Sequence, residues 1–163
     1  MDSVFAAQLT SISSAFIISG YMLAASQSSI PLLLPQPTSV STAIFRGVYN
    51  RGAALAIPVS AISVAATAYL VYITPAESRN KVLYAVSGVS TAAMIPLTRI
   101  IMMPGIKRLI SISHMEPGMQ GKPAISSEAL GLLATWSGQN WVRFGLSAVG
   151  GLLGLYAAIV QDV

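Results

Sequence analysis

The stretch ATWSGQNWVRFG places Trp136, Asn140 and Arg143 four and then three residues apart. That spacing puts all three on one face of a helix, with Gln139 at its flank. An amide and a guanidinium side by side in a dry site are the donors that stabilise a developing oxyanion. Arg143 also stands well inside an apolar segment, since the residues after it are apolar or small as far as Val160. A charge at such depth is costly unless it faces protein or water, and charges inside a membrane mark function by default. A structural hydrogen-bonding role for Arg143 is the alternative reading.

A second arginine raises the same question. Arg99 interrupts PLTRIIMMPGIKRL, residues 96–109, at the end of an apolar run that begins near Val82. It follows Lys81 by eighteen residues, about 27 Å along a helix. At that depth it either snorkels to the headgroups or turns inward. Antiparallel packing of its helix against the next brings Arg99 and Arg143 to similar depth. Two guanidiniums in low dielectric repel unless something negative or rich in acceptors lies between them. The carboxylates Asp2, Glu77, Glu116, Glu128 and Asp162 all fall at termini, loops or helix ends. The missing partner is then an anionic small molecule such as a phenolate or enolate, a carbonyl freed by Pro96, or lipid phosphate. Tyr49, Asn50 and Arg51 open the second apolar segment, and Gln27, Ser28 and Ser29 close the first, at the same end. Trp136 and Trp141 suit either an interfacial belt or, for Trp136, an aromatic pocket.

These residues must be positioned by elements that the composition defines. Of 163 residues, 54% are hydrophobic and 9% charged, with a mean hydropathy of +0.70. Soluble domains carry about 25% charged residues, so the chain is expected to be an integral membrane protein. Spans of about 20 apolar residues are needed to cross a bilayer. Four fit, at about 4–34, 48–73, 82–103 and 130–160. The expected fold is all-α, a single-domain four-helix membrane bundle with antiparallel neighbours. Pro31, Pro35 and Pro37, then Thr74 and Pro75, then Pro104 and Gly105 serve as helix stops, and Pro58 and Pro96 kink the helices that contain them. Gly145, Ser147, Gly150, Gly151 and Gly154 permit close packing. The first segment lacks a basic leader and is too long for a cleaved signal peptide.

Charge completes the frame. The net charge of +4 is scattered at segment ends, which suits membrane flanks and gives no nucleic-acid footprint. Arg46, Arg51, Lys107, Arg108 and Lys122 outweigh Arg79 and Lys81 across the membrane, placing the former in the cytoplasm. With no cysteine and one histidine, His114, the chain is poor in ligands for zinc, haem or di-iron, and no metal is expected.

The sequence P-L-T-R-I-I-M-M-P-G-I-K-R-L, followed by W-S-G-Q-N-W-V-R, resembles the fungal anthrone oxygenases, small four-helix membrane proteins. Pro96, Thr98, Met102, Pro104 and Leu109 match the family's motif at the end of the third helix. Trp136, Asn140 and Arg143 match that of the fourth, while Ile106 stands where the family has asparagine. The resemblance implies oxidation of an anthrone methylene to a carbonyl by O2, in aromatic polyketide metabolism, without metal or flavin. It fits the inventory: a deprotonated anthrone reduces oxygen by itself, so the protein need only bind a flat substrate, hold its oxyanion and take a proton. Arg99, Asn140 and Arg143 are the expected oxyanion donors, and Trp136, Gln139, Thr98, Tyr49 and Met102 the expected substrate contacts. Imidazole is the side chain that titrates near neutrality, which makes His114 a candidate base, although a loop histidine is more often simply solvated. Water or Tyr49 is the alternative.

Partners are then an aromatic polyketide and membrane lipid, with homo-oligomerisation left open. The expected location is the endoplasmic reticulum or another endomembrane. A non-catalytic pathway scaffold, or a related cofactor-free isomerase or cyclase, competes with the oxygenase reading. A small transporter competes less well, because no inverted repeat relates the two halves.

Overall fold

A computed structural model describes residues 3–160, and Asp2 and Asp162 lie outside the described residues. Four helices are long and apolar enough to cross a membrane: α1 (Ser3–Leu33), α2 (Thr38–Ile73), α3 (Arg79–Ser113) and α4 (Pro123–Ile159). Among the described residues there is no strand. The helices form a ring in which α1 packs on α2 and α4, and α3 packs on α2 and α4.

Hydrogen bonds between helices give the register. Tyr69 Oη donates to Ser3 Oγ (3.1 Å), Ser63 Oγ to the Ser11 carbonyl (3.2 Å) and Tyr21 Oη to the Val48 carbonyl (3.0 Å). Residue numbers thus rise along α1 as they fall along α2. Gln8 Nε2 donates to Tyr84 Oη (2.7 Å) and Asn80 Nδ2 to the Val160 carbonyl (2.8 Å), which gathers the start of α1, the α2–α3 turn and the end of α4 at one end. The opposite end is tied by Thr38 Oγ1 to Ser126 Oγ (2.8 Å) and by Arg108, which grips both carboxylate oxygens of Glu128 at 2.7 Å.

The helices are longer than the apolar runs suggested. They have 31, 36, 35 and 37 residues, or about 47–56 Å at 1.5 Å per residue, against a hydrocarbon layer of about 30 Å. Three expected limits are corrected. α2 begins at Thr38 rather than 48, α4 at Pro123 rather than 130, and α3 passes through Pro104 and Gly105 to Ser113. The reason is tertiary. Ile106, Leu109 and Ile112 of the α3 extension are buried with Phe45 of α2 and Leu133 of α4, so the added turns share one core. On the outer side Lys107 and Ser111 are exposed.

Pro104 does not stop α3, because the helix widens first. Residues Leu97–Met102 form a π turn, and Pro104 follows two residues later. The same device occurs in α1, where Ala25–Ser29 are π-helical and Pro31 follows two residues later. A proline removes a donor and crowds the carbonyl four residues back, and a π turn is one of the few ways a helix absorbs such a misfit. Pro31, expected as a stop, is likewise inside its helix.

Small residues set the spacing of α3 and α4. Ser87 Oγ donates to the Gly150 carbonyl at 2.6 Å. A Cβ on Gly150 would meet Thr91 Oγ1 at 2.6 Å and the Ser87 carbonyl at 3.0 Å, so this crossing requires glycine. Gly151 and Gly154 are also buried in the packing, whereas a Cβ on Gly145 would meet nothing within 4 Å, so that position does not require glycine.

Candidate active site

A cavity of about 470 Å³ lies among the four helices, within the usual range of small-molecule sites. α1 contributes Tyr21 and Met22, and α2 contributes Tyr49, Gly52 and Ala56. α3 contributes Met94, Thr98, Arg99 and Met103, and α4 contributes Trp136 and Arg143. The wall is mostly apolar, and its charged members are the two guanidiniums. Glu128 is engaged by Arg108 and does not line the cavity.

Asn140 holds Arg143 in place. It is fully buried, and its Nδ2 donates at 2.9 Å to both the Met22 carbonyl and Ser26 Oγ on α1. Those two bonds fix the amide so that Oδ1 faces Arg143, whose Nη1 donates to it at 3.2 Å. Ser26 belongs to the π turn of α1. Asn140 therefore stands behind the wall and positions the guanidinium that forms it, rather than lining the cavity as the helical-face argument implied.

Aromatic residues shape the rest. Trp136 is 5% exposed and packs edge-on against Phe45, ring centroids 5.3 Å apart. Its Nε1 and the Nε of Arg143 are buried donors with no hydrogen-bond partner. Tyr21 was not singled out by its type or spacing, because what fixes it lies on another helix. Its hydroxyl is held by the Val48 carbonyl, and its ring occupies the space that a Cβ on Gly52 would take. Tyr49 is less restrained: its hydroxyl reaches only the Met103 thioether, at 4.0 Å. Thr98 donates back to the Met94 carbonyl of its own helix at 2.7 Å. Arg99 is exposed, lines the cavity at its outer edge, and makes no hydrogen bond to the described residues.

Of the residues read from the sequence, Arg99, Arg143, Trp136, Thr98 and Tyr49 meet at the cavity. Three do not. Met102 is buried in the neighbouring core, and Met103 lines the cavity instead. The π turn accounts for this, since its wider spacing puts the residue five positions after Thr98, rather than four, on the cavity side. Gln139 is partly exposed and outside the lining. His114 is exposed at the far end of α3, where its Nε2 accepts from Arg46 Nη1, so the geometry gives it no access to the cavity. Among the described residues no three of His, Cys, Asp and Glu gather as metal ligands.

Four membrane-length helices around a mainly apolar cavity, with two guanidiniums and no carboxylate in its wall, define an integral membrane protein with an internal small-molecule-sized site. The chain belongs to the anthrone oxygenase family, whose sequence model matches residues 45–153. That match contains every cavity residue of α2, α3 and α4 and leaves out α1. The chain is also similar to the anthrone oxygenase AgnL2 of Paecilomyces divaricatus. The two are 27% identical over 164 residues, which span 93% of this chain and 94% of the relative. No solved structure matches the chain.

Proposed function

We propose that the protein oxidises the ring methylene of an anthrone-type aromatic polyketide to a carbonyl, giving an anthraquinone, with O2 as co-substrate and no bound cofactor. The observation that carries this reading is the pairing of Arg99 and Arg143 in an apolar cavity that no carboxylate lines. Such a wall is suited to the delocalised anion that an anthrone becomes when its methylene loses a proton. The unpartnered Arg143 Nε and Trp136 Nε1 add to it. A buried donor left unmade costs about 1–3 kcal/mol, and a ligand oxygen is the kind of acceptor that relieves it.

The steps balance with oxygen alone. The methylene gives up a proton, and the anion passes one electron to O2. The resulting radicals combine at the former methylene carbon to give a peroxide. Loss of the second hydrogen from that carbon, with cleavage of the O–O bond, leaves the carbonyl and releases water. One oxygen atom enters the product and the other leaves as water, and the substrate supplies both electron pairs. Tyr49, restrained only by a thioether, is the hydroxyl free to relay the first proton. Apolar walls keep competing water from the anion. An endomembrane location, expected from the sequence, agrees with a substrate of this polarity.

The test is purified protein in vesicles with an anthrone under labelled O2. Quinone absorbance should rise faster than in protein-free vesicles, with one labelled atom per product. Product without label, or no acceleration, overturns the reading.

A further inference from the structure

We infer that the cavity opens sideways into the lipid between α2 and α3, and that Ile57 and Ile95 form the gate through which an apolar substrate enters from the bilayer. This deepens the oxygenase reading, on which the identity of the substrate rests.

The inner wall of the cavity is closed: Met22, Ala56, Met94 and Trp136 are all below 8% exposed. Its outer wall is not. Ile57 is 66% exposed and Ile95 53% exposed, and both line the same cavity. Ala61 and Arg99 are exposed beside them.

The depth of these residues decides what they are exposed to. Ile57 lies sixteen residues before Ile73, and Ile95 sixteen residues after Arg79. Each is therefore about 24 Å from the same end of the bundle, inside a hydrocarbon layer of about 30 Å. Arg99 lies one helical turn further on, where a guanidinium reaches the headgroups. The gate thus opens to acyl chains, with a cation at its headgroup edge.

Routes along the axis are filled. Phe45, Ile106 and Leu133 are buried on one side of the cavity, and Ser63, Thr67 and Leu70 on the other. Each helix bordering the gap also carries a proline next to its gate isoleucine, Pro58 and Pro96. Proline lacks the donor that would complete the ladder there, so both edges are the deformable parts of their helices. A planar aromatic dissolved in the membrane can enter between them, its oxyanion passing Arg99 on the way to Arg143 and Trp136.

The test uses the full chain in lipid vesicles and the apolar photoreactive probe iodophenyl-trifluoromethyl-diazirine, which partitions into bilayers. Labelled peptides are mapped by mass spectrometry. Ala56, Met94 and Trp136 should be labelled together with the lipid-facing controls Val86 and Val89, and aqueous glutathione should not protect them. Ile57→Trp with Ile95→Trp should reduce labelling of the inner wall several-fold and leave the controls unchanged. Ile95→Ala, which shortens a lipid-facing side chain and should not disturb folding, should raise it. Equal labelling of the inner wall in all variants places the entrance elsewhere and overturns the inference. So does an inner wall that stays unlabelled while the controls react, or one that glutathione protects. Anthrone turnover measured in the same vesicles separates the two proposals. Gate-sensitive labelling without turnover overturns the oxygenase reading and leaves the gate standing.

Discussion

At the residue scale, Arg143 and Arg99 differ in how they are held, and so should differ under substitution. Arg143 is half-buried and oriented by Asn140, which is itself fixed by two bonds to α1. Removing one donor from such a site typically lowers turnover by roughly 10²–10³. Arg143→Met should lose that much in quinone formation while the protein still inserts into membranes at its normal level. Arg99 is exposed and unbonded at the cavity edge, so Arg99→Met should raise KM more than it lowers kcat. An unchanged KM would reduce Arg99 to a headgroup anchor. Asn140→Ala deletes a buried amide, takes the acceptor from Arg143 Nη1 and leaves Ser26 Oγ only its 3.5 Å bond to the Ser137 carbonyl. It should lower the thermal midpoint in detergent, with about 1–3 kcal/mol lost per unsatisfied group, as well as slow turnover. Arg143, Asn140 and Trp136 were legible in the sequence because helical spacing displays one face of one helix. Tyr21 and Met103 were not, since their places depend on Gly52 across the bundle and on the π turn.

At the element scale, the two π turns tie the backbone to the site. One holds Arg99 and the other holds Ser26, which fixes Asn140. Each is followed by a proline that an uninterrupted α-helix would accommodate poorly. Pro104→Ala restores the missing donor and lets α3 tighten to α-helical spacing, which would carry Met103 and Arg99 off their present faces. The expected outcome is a thermal midpoint equal to or above that of the unmodified protein, with quinone formation reduced. Full activity would show that the π turn does not position Arg99. The prolines themselves were visible in the sequence, but read as stops for α1 and α3. What lets these helices run on is the shared core of Phe45, Ile106, Leu109 and Leu133, built from segments far apart in the chain.

At the scale of the whole molecule, the bundle has two unlike ends. The end that gathers the α2–α3 turn carries Arg79 and Lys81, and the other carries Arg46, Lys107, Arg108 and Lys122. By the excess of positive charge, the second end is expected to face the cytoplasm. The absence of native cysteine allows a direct test. Glu77→Cys and Met119→Cys, both at exposed positions in the segments that connect membrane helices, should react on opposite sides of sealed microsomes with a membrane-impermeant maleimide, Met119→Cys from the cytoplasmic side. Labelling of Glu77→Cys from that side reverses the orientation.

The number of membrane helices, their apolar character and the face shared by Trp136, Asn140 and Arg143 were determined by the sequence, because hydropathy and helical period are local quantities. The meeting of Arg99 with Arg143, the exclusion of His114 and Gln139, the exchange of Met102 for Met103, and the gap beside Ile57 and Ile95 were decided by tertiary structure. Each depends on how far one helix extends and turns against another. That is set by contacts such as Tyr21 against Gly52 and Ser87 against Gly150, whose partners lie on different helices and leave no periodic trace in either.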